Sequence, residues 1–248
     1  MVVIGRVASI RRRESLEWLG PERAPHEVDY ARAGHPPPIV VSSASGAPLV
    51  SIGIPTYERA ELLARSLASA LAQTHSPLEV VISDNGSQDG TENICRAAAR
   101  RDARVRYLRS HHNRGSTANF NALFGACRGE YVMMLADDDW LDPDYVTACL
   151  RALQGDARSA LVGGWPRYLR GGGFVHDGVV HSHGQPDPVQ RVRDYLARVD
   201  DNGIFYGLMP RPVLERARPL PNGLGNDWLH VARVAAQGSV RTLKDVRT

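Results

Sequence analysis

Between residues 49 and 135, short apolar runs alternate with longer amphipathic stretches, and this alternation constrains the fold more than any other feature of the chain. The runs 49–54, 78–83, 105–108 and 131–135 carry mostly Val, Ile, Leu and Met, as strands buried on both faces do. Between them lie 58–73, with Leu63, Leu67, Ala70 and Leu71 on one helical face, then 89–100, with Ile94, Ala97 and Ala98 inward, and 117–127. Strands separated by helices of this length predict an α/β domain, a mostly parallel sheet with helices on both faces. Pro55 is expected to stop the first strand, since it has no N–H for the ladder.

The second half is less regular. Short strands are expected at 161–162, 168–169, 204–209 and 240–243, helices at 189–199 and 227–236, and a turn or mobile loop at Gly171-Gly172-Gly173. Residues 1–47 differ in composition, with Arg11-Arg12-Arg13, Pro36-Pro37-Pro38 and a Ser-rich stretch at 42–46. They read as a partly ordered N-terminal arm and linker, which leaves 48–248 as a single domain.

In an open parallel sheet, ligands gather beyond the carboxyl ends of the strands. Four polar segments fall there: Pro55-Thr56-Tyr57, then 84–90, then 111–115, then Asp137-Asp138-Asp139. Three adjacent carboxylates after a buried strand repel one another and are costly to desolvate, so they need solvent or a cation. A divalent metal facing a diphosphate would meet that need through the alternate pair Asp137 and Asp139; an acidic turn capping the next segment would meet it too. Asp84 can accept from a base N–H or a ribose hydroxyl, or close an Asx-turn over Asn85-Gly86. Asp89, with Glu92 three residues on, reads as a helix cap. Tyr57 can stack on a planar base or pack over the sheet edge, and Arg114 can meet phosphates or stay a surface arginine. Trp140 and Trp228 fit either an acceptor sugar or the core. His181 and His183 are expected in a solvated loop, and His230 as a core or surface histidine.

A net charge of +3 is too small an excess to point to a nucleic-acid partner. Cys95, Cys127 and Cys149 are widely spaced with no C-x-x-C, which fits a reducing compartment. No apolar run approaches the roughly 18 residues a spanning helix needs. A cytoplasmic location follows as the expectation, with peripheral membrane contact left open by the arginine triplet.

The ordered set V-S-I-G-I-P-T-Y, S-D-N-G-S-Q-D-G-T, N-R-G-S-T-A-N-F-N and R-G-E-Y-V-M-M-L-A-D-D-D-W-L-D-P resembles family 2 glycosyltransferases of the GT-A fold, over about residues 49–145. The later segment Gly225-Asn226-Asp227-Trp228 is similar to the place where that family keeps its catalytic carboxylate. The resemblance implies a nucleotide-sugar-binding half at 48–145 and an acceptor-binding half at 146–248. It implies that Pro55, Tyr57 and Asp84 hold the base, that Asp137 contacts ribose or metal, and that Asp139 binds Mn²⁺ or Mg²⁺ and the diphosphate. Thr56, Asn113, Arg114 and Asp138 complete the nucleotide-sugar set, and Asp227 is the general base. The implied reaction is inverting transfer from a nucleoside-diphosphate sugar, with UDP the expected carrier, to a hydroxyl of a saccharide, lipid or small molecule. Two departures stand out: the Q/R-x-x-R-W motif of processive members is absent, and the family's Glu-Asp reads Asn226-Asp227. A nucleotidyltransferase is the rival enzyme, but it would carry a Gly-rich loop and a lysine after the first strand, and Lys244 is the only lysine here. A non-catalytic nucleotide-sugar-binding subunit is the other alternative.

Overall fold

The structure is a computed structural model that describes residues 46–248, so the expected arm lies outside the described residues except for its last two positions. Four strands, β1 (Val50–Thr56), β2 (Leu78–Asp84), β3 (Val105–Arg109) and β4 (Tyr131–Met134), form a parallel sheet in the order β3-β2-β1-β4. Helices α1 (Ala60–Leu71), α2 (Thr91–Arg101) and α3 (Ser116–Ala126) connect them. Strand side chains alternate between two cores, as the two-residue period requires. Ile52, Ile54, Val80, Ile82 and Met133 meet Leu63 and Leu67 of α1 and Cys95 of α2. Val81, Val132 and Met134 meet Leu123 and Phe124 of α3.

β1 does not stop at Pro55. The carbonyl of Gly53 accepts from the Leu135 N–H on the β4 side. Pro55, two residues on, faces that same side beyond the end of β4, where no ladder partner asks for its missing N–H.

The second half opens with α4 (Tyr145–Gln154), which the sequence reading missed, and β5 (Ser159–Trp165). A hairpin of β6 (Arg167–Arg170) and β7 (Gly173–Asp177) turns at Gly171-Gly172. Then come β8 (Ser182–His183), α5 (Pro188–Arg198), a 3-10 turn at Gly203–Tyr206, β9 (Met209–Pro210), α6 (Arg211–Ala217), α7 (Asn226–Ala235) and β10 (Ser239–Arg247). β9 adds to the edge of β4 antiparallel, and β5-β10-β8 form a second sheet.

Two expectations fail here. The run 204–209 is a 3-10 turn followed by a two-residue strand. Ile204, Phe205, Leu208 and Met209 are all buried, and a short apolar run cannot by its pattern distinguish a strand from a packed turn. His181 and His183 are not in a solvated loop; each is 1% exposed. Antiparallel pairing of β8 with β10 (Val240 opposite His183) carries them inward.

Burial lowers both His181 and His230 to about 4, from 6.5. His230 is a core histidine, stacked on Phe124 at 5.3 Å and edge-on to Phe205. A histidine whose folded value lies below its unfolded value leaves the unfolded chain binding more protons between the two. The stability it contributes is therefore full above pH 6.5 and is lost as the pH falls toward 4. We expect Tm to drop between pH 7 and pH 5, and His230→Leu to make that drop shallower in a pH series of thermal melts. An unchanged slope in the variant would remove His230 from the account.

Candidate functional site

β4 ends at Met134, and the chain turns at once, with the Asp139 N–H donating to the Ala136 carbonyl at 3.2 Å. Ser66 of α1 donates to the same carbonyl at 2.9 Å and fixes the turn against the helix. Arg59, just before α1, reaches across the sheet edge. A single nitrogen, Nη1, donates to Asp137 Oδ1 at 3.1 Å and to Asp138 Oδ2 at 3.0 Å. Burial pushes the Asp137 carboxyl up, and Arg59 opposes the shift. Asp139 is pushed up to about 6, first by burial and then by the charge of Asp138. The sequence reading missed Arg59; its signal was position alone, three residues past Thr56 on the same edge.

These residues suit a hard divalent cation in part. They offer oxygen donors only, they already draw one guanidinium, and burial and Asp138 oppose the charge of Asp139. Among the described residues no group of three or more His, Cys, Asp or Glu side chains is arranged to hold a metal ion by itself. An ion held here needs oxygens from a ligand, which is how Mg²⁺ is usually bound with phosphates.

At the end of β2, Asp84 is fully buried and already engaged. Its Oδ1 accepts from Ser87 N at 2.8 Å, and its Oδ2 from the Tyr107 hydroxyl at 2.7 Å and Arg109 Nε at 3.2 Å. The bend is closed from Ser87, one residue beyond the position an Asx-turn uses, and any base N–H would share an oxygen with these donors. Asn113 acts as a latch between loops: its Oδ1 accepts from Asn85 Nδ2 and from Gly115 N, both at 2.8 Å. The Arg114 N–H donates to Asn85 Oδ1 at 2.9 Å, while its side chain stays exposed. Gly86 permits this closeness, because a Cβ there would lie 2.8 Å from the His112 backbone, and its φ is +87°. Asp89 is not the N-cap of α2, which is Gly90, but from one residue earlier it serves two helix starts: Oδ1 accepts from Thr91 N of α2 at 2.9 Å and Oδ2 from Ala60 N of α1 at 3.1 Å. On the β1 edge Pro55 is half-buried, Thr56 buried and the Tyr57 ring exposed.

Asp227 is the second residue of α7, after Gly225 in the left-handed region at φ +71°. No side chain caps this helix, so Asp227 is not its N-cap. Its Oδ2 accepts from Asn202 Nδ2 at 3.0 Å, and Asn202 Oδ1 accepts from the Tyr195 hydroxyl at 2.7 Å. Asn226 donates to Thr117 Oγ1 at 3.0 Å, which ties α7 to the start of α3. Tyr206 joins the two ends of the site: burial, and then the charges of Asp139, Asp138, Asp227 and Asp137, push its hydroxyl up. One ring therefore feels all four carboxylates. The Tyr168 hydroxyl of β6 is pushed up by burial and then by the charges of Asp201 and Asp139. Trp140 and Trp228 are 39% and 43% exposed, which rules out plain core packing; Arg65 stacks on Trp140 at 4.6 Å.

Residues 51–206 match the family model described as glycosyl transferase family 2. A chondroitin synthase of Escherichia coli is 41% identical over 115 residues, which is 46% of this chain and 17% of that protein. The mannosyltransferase PcManGT from Pyrobaculum calidifontis, solved with GDP-Man and Mn²⁺, superposes with a TM-score of 0.58 at 21% identity, over 81% of this chain and 55% of that one. S. aureus TarS 1-349, solved with UDP-GlcNAc, gives 0.58 at 16% identity, over 80% of this chain and 58% of the other. The chain thus spans less than a fifth of that curated relative and a little over half of those solved chains.

Proposed function

The chain belongs to glycosyl transferase family 2, and from that premise we propose that it moves a sugar from a nucleoside-diphosphate donor to an acceptor hydroxyl, with inversion at the anomeric carbon. Its sheet is the GT-A arrangement. The observation that carries the reading is that the Tyr206 hydroxyl lies within electrostatic reach of both the Asp triplet and Asp227. A leaving diphosphate needs its charge balanced where the acceptor oxygen needs a base, and both groups of carboxylates act on that one hydroxyl.

Asp139 and Asp137 would hold Mn²⁺ or Mg²⁺, with Asp138 beside them on Arg59. Bound there, the ion would balance the charge that builds on the departing diphosphate. The chain's own part is to place and deprotonate. The acceptor oxygen bonds to the anomeric carbon as the bond to the diphosphate breaks; the bonding pair leaves with the diphosphate, and the hydroxyl proton goes to Asp227. The exposed Tyr57 ring offers a face to the base, with Pro55 and Thr56 below it. Arg114 extends into solvent from a loop that Asn113 and Asn85 hold in place. Asp84 supports that loop system from within. UDP is the favoured carrier, which the TarS complex with UDP-GlcNAc supports; the complex of PcManGT with GDP-Man keeps GDP as the control. The three cysteines are buried and free, which goes with a cytoplasmic site, and among the described residues no helix is long and apolar enough to cross a membrane.

Calorimetric titration tests the donor site. UDP should bind at least ~10-fold more tightly with Mn²⁺ than with EDTA, a difference of about 1.4 kcal/mol, and GDP more weakly than UDP. Equal UDP affinity in the two conditions would remove the metal from the site.

A further inference from the structure

Resting on the base role given to Asp227, we propose that Asn202 is the positioning residue of that base, holding Oδ2 so that Oδ1 takes the acceptor proton. The amide can stand only one way round. Turned over, its Oδ1 would face a carboxylate, acceptor against acceptor, and its NH₂ would meet the Tyr195 hydroxyl. In the observed orientation Tyr195 donates to Asn202 Oδ1 at 2.7 Å and Asn202 Nδ2 donates to Asp227 Oδ2 at 3.0 Å. A chain of donors in a shielded setting reinforces each bond.

The chain is anchored at its far end. Tyr195 is fully buried on α5, with its ring against His181 at 5.7 Å and His183 at 6.0 Å. The backbone carrying Asn202 is held on both sides. Asp201 accepts from Val179 N at 2.7 Å and from Gly203 N at 3.1 Å, and the Asn202 carbonyl accepts from Phe205 N at 2.9 Å. That last bond starts the 3-10 turn that ends at Tyr206. A single short segment, 201–206, therefore presents an amide to the base and ends at Tyr206, fixed on the same 3-10 turn. Such bracing is what a base needs, because a misplacement of about 1 Å can cost on the order of 10²-fold in rate.

The test measures nucleotide release from UDP-GlcNAc, UDP-glucose and GDP-Man with Mn²⁺, water serving as acceptor. Asn202→Ala should lower kcat on the order of 10-fold or more, with donor KM and UDP affinity unchanged and a lower Tm, because the buried Tyr195 hydroxyl loses its acceptor. Asn202→Asp keeps the shape but brings no donor, so it should be at least as slow; Tyr195→Phe should fall between Asn202→Ala and the wild type. In an Asp227→Asn background, adding Asn202→Ala should cost nothing further, since the two act as one unit. A fast Asn202→Asp, or a loss of UDP affinity alongside kcat, would make Asn202 a packing residue. Wild-type rates in both Asn202 variants with a slow Asp227→Asn overturn the positioning role alone. A fast Asp227→Asn, or no release from any donor by the wild type, overturns the reading beneath it.

Discussion

Asp227→Asn is expected to reduce sugar transfer on the order of 10²-fold or more, with thermal stability and nucleotide affinity close to the wild type. The amide keeps the volume of the carboxylate but cannot take a proton. The stability half of the expectation follows from the structure: α7 starts after Gly225 with no side-chain cap, so the helix does not depend on this carboxylate for its first N–H groups. The substitution does leave Asn202 Nδ2 facing an amide, which can still present an oxygen. Steady-state transfer and UDP titration, measured on the same preparation, check both halves. Full transfer activity in the variant would place the base elsewhere.

Asp139→Asn should be equally damaging for a different reason. We expect turnover reduced on the order of 10²-fold to 10³-fold, together with loss of the Mn²⁺ enhancement of UDP binding. Asp139 is the triplet member with the strongest raised value, about 6, because burial and Asp138 both oppose its charge. A carboxylate under that strain in the free protein gains most from a cation. Removing the charge should therefore make the apoprotein no less stable by thermal melt, while the gain in Tm from Mn²⁺ plus UDP disappears. A variant that is still stabilised by Mn²⁺ with UDP would transfer the metal role to Asp137 or Asp138.

The first half of the fold was legible because β1, β2 and β4 are buried along almost their whole length and α1 carries one apolar stripe, which frames the half-exposed β3 and the less patterned α3 between them. Ile52 and Ile54, or Val132 and Met133, have no polar alternative to their layer. In the second half α4 was legible and was overlooked: Tyr145, Val146, Cys149, Leu150 and Leu153 form one apolar stripe at helical spacing. Other elements hid for physical reasons. Phe205 and Leu208 mimic a strand because a tight turn packed into a core is as apolar as a strand. At the candidate site, position along the chain marked the sheet edge where the four segments lie, since the loops after β1 to β4 could be placed from their turn residues. Side-chain partners could not be placed. Arg59 on Asp137 and Asp138, Tyr107 and Arg109 on Asp84, and Asn202 on Asp227 join residues 23 to 79 positions apart, or meet through loops whose geometry no local pattern encodes.

Asp89 serves two helices with one carboxylate, one oxygen on the first N–H of α1 and the other on that of α2. The loop that carries it cannot swing away from the sheet edge while both helix ends remain satisfied. Opening would expose the amides of Ala60 and Thr91 in the same event, so their protection against hydrogen exchange should rise and fall together. Mobility at this end of the sheet is thereby quantised: the ends of α1 and α2 loosen as one cooperative unit or stay closed.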